Sequence, residues 1–186
     1  PVLGPAIGVQ DVISADEGAA LDFDRGVLVS TIRMGYGHYR IAMALTSAAN
    51  SLGYVPYWFD LLAFETAGAR MIRDLDKWYS LGSRISQRSK LFNRFVWDPL
   101  MGKWYKRIEK NYPITQAAHV FANIHNTLPK DMPVLGTHPF NTLGAVHAGM
   151  SNVVNVIPDN CPLGFHVVDG VRQTVQGPSN YFGFRT

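Results

Sequence analysis

The chain has 186 residues, of which 47% are hydrophobic and 17% charged. That balance is ordinary for a folded protein and excludes a disordered polymer, and the length suits one domain with a proper core rather than two. The net charge of +3 is modest, and no recognised nucleic-acid motif accompanies it.

Residues 1–24 mix Gly, Pro, Asp and small side chains and read as an irregular N-terminal arm. The run Gly26-Val27-Leu28-Val29-Ser30-Thr31-Ile32 is apolar and β-branched, the pattern of a strand buried on both faces of a parallel sheet. A glycine-containing turn follows, Arg33-Met34-Gly35-Tyr36-Gly37-His38. Ile41, Ala44, Leu45, Ala48 and Leu52 then recur at helical spacing, with Gly53 as a stop. Val55 to Phe59, closed by Asp60, completes a strand–loop–helix–strand unit of the βαβ kind.

Residues 61–110 read as a mainly helical excursion from the sheet, with breaks expected near Gly82 and Asp98-Pro99. Between Arg70 and Lys110 there are eleven Lys/Arg and four Asp/Glu, a local +7, interleaved with Trp78, Tyr79, Phe92, Phe95, Trp97, Trp104 and Tyr105. Interleaved cations and aromatic rings suit the headgroup zone of an anionic membrane. Trp78, Trp97, Trp104, Arg94 and Lys103 are therefore the candidate membrane contacts. The same residues can equally be helix core with a solvated basic face.

Residues 114–127 predict another helix. Pro133 to Thr137 predicts a strand with His138-Pro139 at its carboxyl end, 140–149 a helix, and Val153 to Ile157 a strand ending at Pro158-Asp159. His166 to Val171 is a further strand candidate, and His166, which follows Asp159, is read either as lining the same cleft as that carboxylate or as lying in a loop. The alternation predicts an α/β fold: a Rossmann-like, mostly parallel sheet flanked by helices, with the excursion at about 61–110.

Ligands bind beyond the carboxyl ends of the strands in such sheets. The Gly35–His38 loop, His138 and Asp159 all fall at such ends and are expected to converge on one rim. Gly35 and Gly37 permit positive φ and close approach of a ligand. A His at the start of the following helix has its neutral form favoured by the helix dipole, as suits a general base. The three-glycine dinucleotide fingerprint is absent, since position 40 is Arg, and there is no Walker lysine. The plain structural reading is a tight turn whose His caps the helix. His119 and His125, six apart, do not share a helix face, and neither they nor His147 have metal-ligand spacing, so no metal site is expected. The single cysteine, Cys161, excludes an intrachain disulfide.

The segment from Ser30 to Ala42 resembles the amino-terminal loop of monogalactosyldiacylglycerol synthases and related diacylglycerol glucosyltransferases. Gly136-Thr137-His138-Pro139-Phe140 and Val153 to Asp159 resemble that family's next two strand ends, so the likeness covers roughly residues 26–160. Tyr36 stands where the family has a glycine, and Pro158 where it usually has a threonine. The resemblance implies a GT-B glycosyltransferase, with residues 25–186 forming the acceptor-side domain and the C-terminal donor domain missing from the chain. It implies His38 as catalytic base of an inverting transfer, with Gly35, Tyr36, Gly37, His138 and Asp159 as ligand-binding positions. The expected donor is a UDP-sugar taken as substrate, with no covalently bound cofactor, and the expected acceptor is lipid-like. The isolated domain is expected to be inactive. The implied location is cytoplasmic, peripheral on an anionic membrane. A non-catalytic nucleotide-, sugar- or lipid-binding module and a GT-B-type sugar-nucleotide epimerase remain alternatives.

Overall fold

Every residue of Gly26–Thr31 is buried, which places this segment in the middle of a sheet covered on both faces. The structure, a computed structural model, describes residues 4–34, 36–111, 114–160 and 164–185. Its strands are β1 (Gln10–Asp11), β2 (Gly26–Thr31), β3 (Val55–Asp60), β4 (Val134–Gly136), β5 (Val153–Val156) and β6 (Arg172–Thr174). They form one six-stranded sheet in the order β1-β3-β2-β4-β5-β6, and every pairing is parallel. The α/β, Rossmann-like expectation therefore holds.

The helices are α1 (Gly37–Ser51), α2 (Ala67–Arg88), α3 (Lys90–Phe92), α4 (Asp98–Asn111), α5 (Ile114–His125), α6 (Pro139–His147) and α7 (Pro178–Arg185). Side chains alternate between the two faces of the sheet. Leu28, Tyr57 and Phe59 enter the larger core with Ile72 of α2, Phe121 and Ile124 of α5 and Ala145 of α6. Val29 and Trp58 enter a smaller core with Tyr39 and Ala42 of α1. Gly53 ends α1 at φ +82°, a left-handed position that favours glycine.

His125 belongs to this architecture rather than to a site. Its side chain is fully buried between Phe59, whose ring lies 4.8 Å away, and Gly144, and its Nδ1 donates to the Phe121 carbonyl at 2.9 Å. Burial pushes its pKa down to about 4, so it folds as a neutral ring.

Four sequence expectations change. The N-terminal arm is not wholly irregular: Gly4–Ile7 is a 3-10 turn and Gln10–Asp11 adds an edge strand beside β3. The expected break at Gly82 is absent, and α2 runs through it to Arg88. A Cβ on Gly82 would stand 1.9 Å from Cζ3 of Trp97, so glycine is there to seat an indole, not to stop a helix. The chain breaks at Ser89 instead. The expected break at Asp98-Pro99 is also absent: the π-helical stretch Asn93–Trp97 runs directly into α4, whose first turn holds Asp98 and Pro99, where proline's missing N–H is tolerated. The strand expected from His166 to Val171 is displaced. Gly164–His166 is a 3-10 turn, and the strand begins at Arg172.

Candidate functional site

The chain leaves β2 for β3 on one side and returns to β4 on the other, so the carboxyl ends of β2 and β4 flank a topological switch point. Open parallel sheets bind ligands in that crevice. The α1 helix starts beyond β2 and the α6 helix beyond β4, so two helix N-termini meet there.

His38 lies in the first turn of α1, and its Nδ1 is 2.7 Å from the carbonyl oxygen of Thr137 beyond β4. A carbonyl only accepts, so Nδ1 carries the proton and Nε2 of the neutral ring keeps its lone pair. His138 is the N-cap of α6. Its Nδ1 accepts from the Phe140 N–H at 3.1 Å, which leaves the proton of the neutral ring on Nε2. The two rings meet edge to face, with centroids 4.8 Å apart. The crevice thus joins one imidazole whose Nε2 accepts to another whose Nε2 donates.

Asp159, two residues past Ile157, completes the convergence. Its Oδ2 lies 3.3 Å from Nε2 of His166, which is buried while the carboxylate is half exposed. Asn180 of α7 donates to the Asp159 carbonyl at 3.1 Å, and Gln176 donates to that of Pro158. The segment after β5 is thereby held from α7 and from the turn that precedes it.

The electrostatics favour neutral rings. Burial lowers the pKa of His38, opposed by the Thr137 carbonyl and by the charge of Asp159. Burial holds His138 well below the ordinary value, and the neighbouring His38 and His166 push the same way. His166 is lowered by burial, with Asp159 opposing and His38 reinforcing. The neutral His38 expected from the helix dipole is accordingly produced chiefly by desolvation.

Beneath the crevice lies an uncharged polar network. Asn141 donates to Ser30 Oγ at 2.6 Å and to the Thr31 carbonyl at 2.8 Å, and Thr137 donates to Thr31 Oγ1 at 3.1 Å. Thr142 donates to Asn155 Oδ1 at 2.9 Å, and Asn155 donates to the His166 carbonyl at 2.7 Å and to Gln173 at 2.6 Å. Asn155 on β5 therefore ties α6 to the turn that carries His166.

Tyr36 projects from the loop, 84% exposed. Gly37 does not use positive φ, contrary to the expectation from its sequence. The hypothetical Cβ position meets nothing within 4 Å, so the residue leaves open space above the start of α1. Gly35 and Cys161 lie outside the described residues. His166 was legible only as a neighbour of Asp159 in sequence; its pairing needed the turn after β5. His119 and His147 instead face each other at 3.9 Å between ring centroids, on the exposed surface of α5 and α6. Among the described residues, no group of three or more His, Cys, Asp or Glu side chains is arranged to hold a metal ion.

The membrane candidates divide. Trp78 on α2 is 72% exposed and Trp104 on α4 is 39% exposed, whereas Trp97 is half-buried against Gly82 and 5.7 Å from the Tyr79 ring. Arg94 and Lys103 are exposed, Arg94 with its guanidinium 5.6 Å from the centre of the Phe95 ring. No helix among the described residues is long and apolar enough to cross a membrane.

Fold and site together define a Rossmann-like parallel α/β domain with a histidine-lined crevice at its switch point. The family model described as Domain of unknown function (DUF6937) matches residues 1–186, and the chain belongs to that family. No curated protein matches the chain, and no solved structure does.

Proposed function

We propose that this chain is the acceptor-side domain of a nucleotide-sugar-dependent, inverting glycosyltransferase with His38 as general base. The observation that carries the reading is the 2.7 Å bond from His38 Nδ1 to the Thr137 carbonyl. It leaves the Nε2 lone pair free to take the proton of an acceptor hydroxyl as that oxygen attacks the anomeric carbon of the sugar, whose bond to the diphosphate breaks and releases UDP. Burial keeps the ring unprotonated near neutral pH, as a base requires.

His138 has the complementary tautomer and serves as a hydrogen-bond donor to substrate oxygen. The open space above Gly37 admits a ligand close to the start of α1, where free N–H groups favour an anion such as the donor diphosphate. The donor is a UDP-sugar bound as substrate, and its sugar carbon, not the protein, carries the covalent change. The acceptor is a lipid or a membrane-associated hydroxyl. The excursion of α2 to α4, with its exposed rings and cations, approaches an anionic membrane peripherally.

The test is transfer of labelled hexose from UDP-hexose to a diacylglycerol acceptor by the protein that carries this domain. His38→Ala is expected to lower kcat by at least ~10², the usual range for a general base. Full kcat in that variant removes His38 from the chemistry. Epimerised donor in the absence of acceptor replaces the transferase with an epimerase.

A further inference from the structure

The helical excursion encloses a groove that the crevice chemistry does not use. It has a volume of about 400 Å³ and is lined by α2, α3, the π-helical stretch and α4, including Leu75, Trp78, Ile85, Trp97, Leu100 and Met101. This is the size of a small-molecule site, but such sites place several polar groups to orient their ligand. Here the lining is almost wholly apolar. An occupant of this space makes no demand for hydrogen bonds along its buried length, which describes hydrocarbon.

The surroundings supply the complementary charge. Lys77, Arg84, Arg88, Lys90, Arg94, Lys103 and Lys106 are exposed on the same helices, within a segment whose local charge is +7. Lys77 is partly compensated by Asp74 at 3.1 Å. Leu91, at 72%, and Phe95, at 67%, are exposed beside these cations. Apolar and aromatic side chains set among cations match the boundary between acyl chains and anionic headgroups.

We infer that the groove between α2 and α4 is a seat for one acyl chain of an anionic membrane lipid, drawn out of the bilayer while the cations hold its headgroup layer. The inference rests on the membrane part of the proposed function but not on its transfer chemistry. α4 also packs against the Gly164–His166 turn, so an occupied groove borders an element of the crevice.

The experiment uses phosphatidylglycerol vesicles with chains either brominated or plain, and reads tryptophan emission and pelleting of the protein. Bromine quenches only on contact. Trp78, Trp97 and Trp104 line the groove, whereas Trp58 is buried in the sheet. Brominated chains are expected to quench the groove tryptophans, and free oleate to compete. Leu100→Glu, at a position 55% exposed, and Met101→Glu are expected to weaken oleate binding by at least about tenfold, because a buried carboxylate opposes hydrocarbon. Met101→Leu is expected to retain binding, and circular dichroism reports whether each variant folds. Pelleting without quenching overturns the groove while leaving the membrane reading intact. Oleate binding without vesicle pelleting overturns the membrane reading and keeps the groove as a chain site. A concentration-dependent dimer that Leu100→Glu abolishes and oleate does not disperse assigns the groove to a second copy of the chain and overturns the proposal.

Discussion

His38 and Thr137 are hydrogen-bonded at 2.7 Å although 99 positions separate them in the chain. The bond crosses the sheet's switch point, since His38 follows β2 and Thr137 follows β4. It fixes the tautomer of the ring and ties the start of α1 to the corner before α6.

Removing the carboxylate of Asp159 tests the electrostatic coupling of the crevice. Its charge raises the pKa of both His166 and His38 against their net depression by burial. In Asp159→Asn both rings are expected to titrate at lower pH than in the parent. The imidazole Cε1–H resonances followed through a pH titration check this. The acid limb of any His38-dependent rate moves the same way. Unmoved resonances separate Asp159 from both rings.

Asn155 is expected to be structurally costly. It is 1% exposed and bonds Thr142, the His166 carbonyl and Gln173. Asn155→Leu leaves buried partners unsatisfied, each at about 1–3 kcal/mol. Urea unfolding is expected to show a loss of at least about 2 kcal/mol, with the His166 resonance displaced. A loss within about 0.5 kcal/mol, typical of an exposed site, rejects the network as described.

At Gly82 two effects compete. Alanine improves helix propensity by about 1 kcal/mol, but its Cβ would stand 1.9 Å from the Trp97 ring. Displacing a packed indole costs about 1–3 kcal/mol, so Gly82→Ala is expected to be net destabilising and to shift tryptophan emission to the red. Stabilisation with unchanged emission would show that Trp97 does not rest on α2.

The protein is expected to lose stability on acidification from its histidines. A ring with a depressed native pKa binds fewer protons folded than unfolded, so stability rises with pH between the two values. For His125 the window runs from about pH 4 to 6.5, and its full span corresponds to about 3 kcal/mol. His38, His138 and His166 act with the same sign. Denaturation midpoints measured between pH 7 and 4.5 are expected to fall, and His125→Leu to flatten the slope. An increase in stability toward acid contradicts the buried, neutral rings.

The centre of the sheet was legible because β2 and β3 are buried on both faces and therefore read as apolar runs, as in Val27 to Val29. The strand-end positions of His38, His138 and Asp159 followed from the same reading, and the structure brings them to one crevice. Their roles in binding and catalysis are the proposal. What the sequence concealed has physical reasons. A two-residue strand such as Gln10–Asp11 has no periodicity to detect. Gly82 looks like a helix stop until the residue packed against it is known. The start of β6 at Arg172 is masked because its residues are polar and exposed or half-exposed along a sheet edge. Gly37 carried a conformational expectation that a side-chain identity cannot decide, since glycine also occupies ordinary helical backbone.

The separation of β2 from β4 also shapes how the molecule is made. Ser30 must wait for Thr137, 107 residues downstream, before the two strands' ends can join. During synthesis at about 5–20 residues per second, that interval is about 5 to 20 seconds. For that time a strand destined to be hidden on both sides lacks its β4 neighbour. Closing so wide a loop is slow, and this gives the nascent chain a period of vulnerability to aggregation that its finished surface does not reveal.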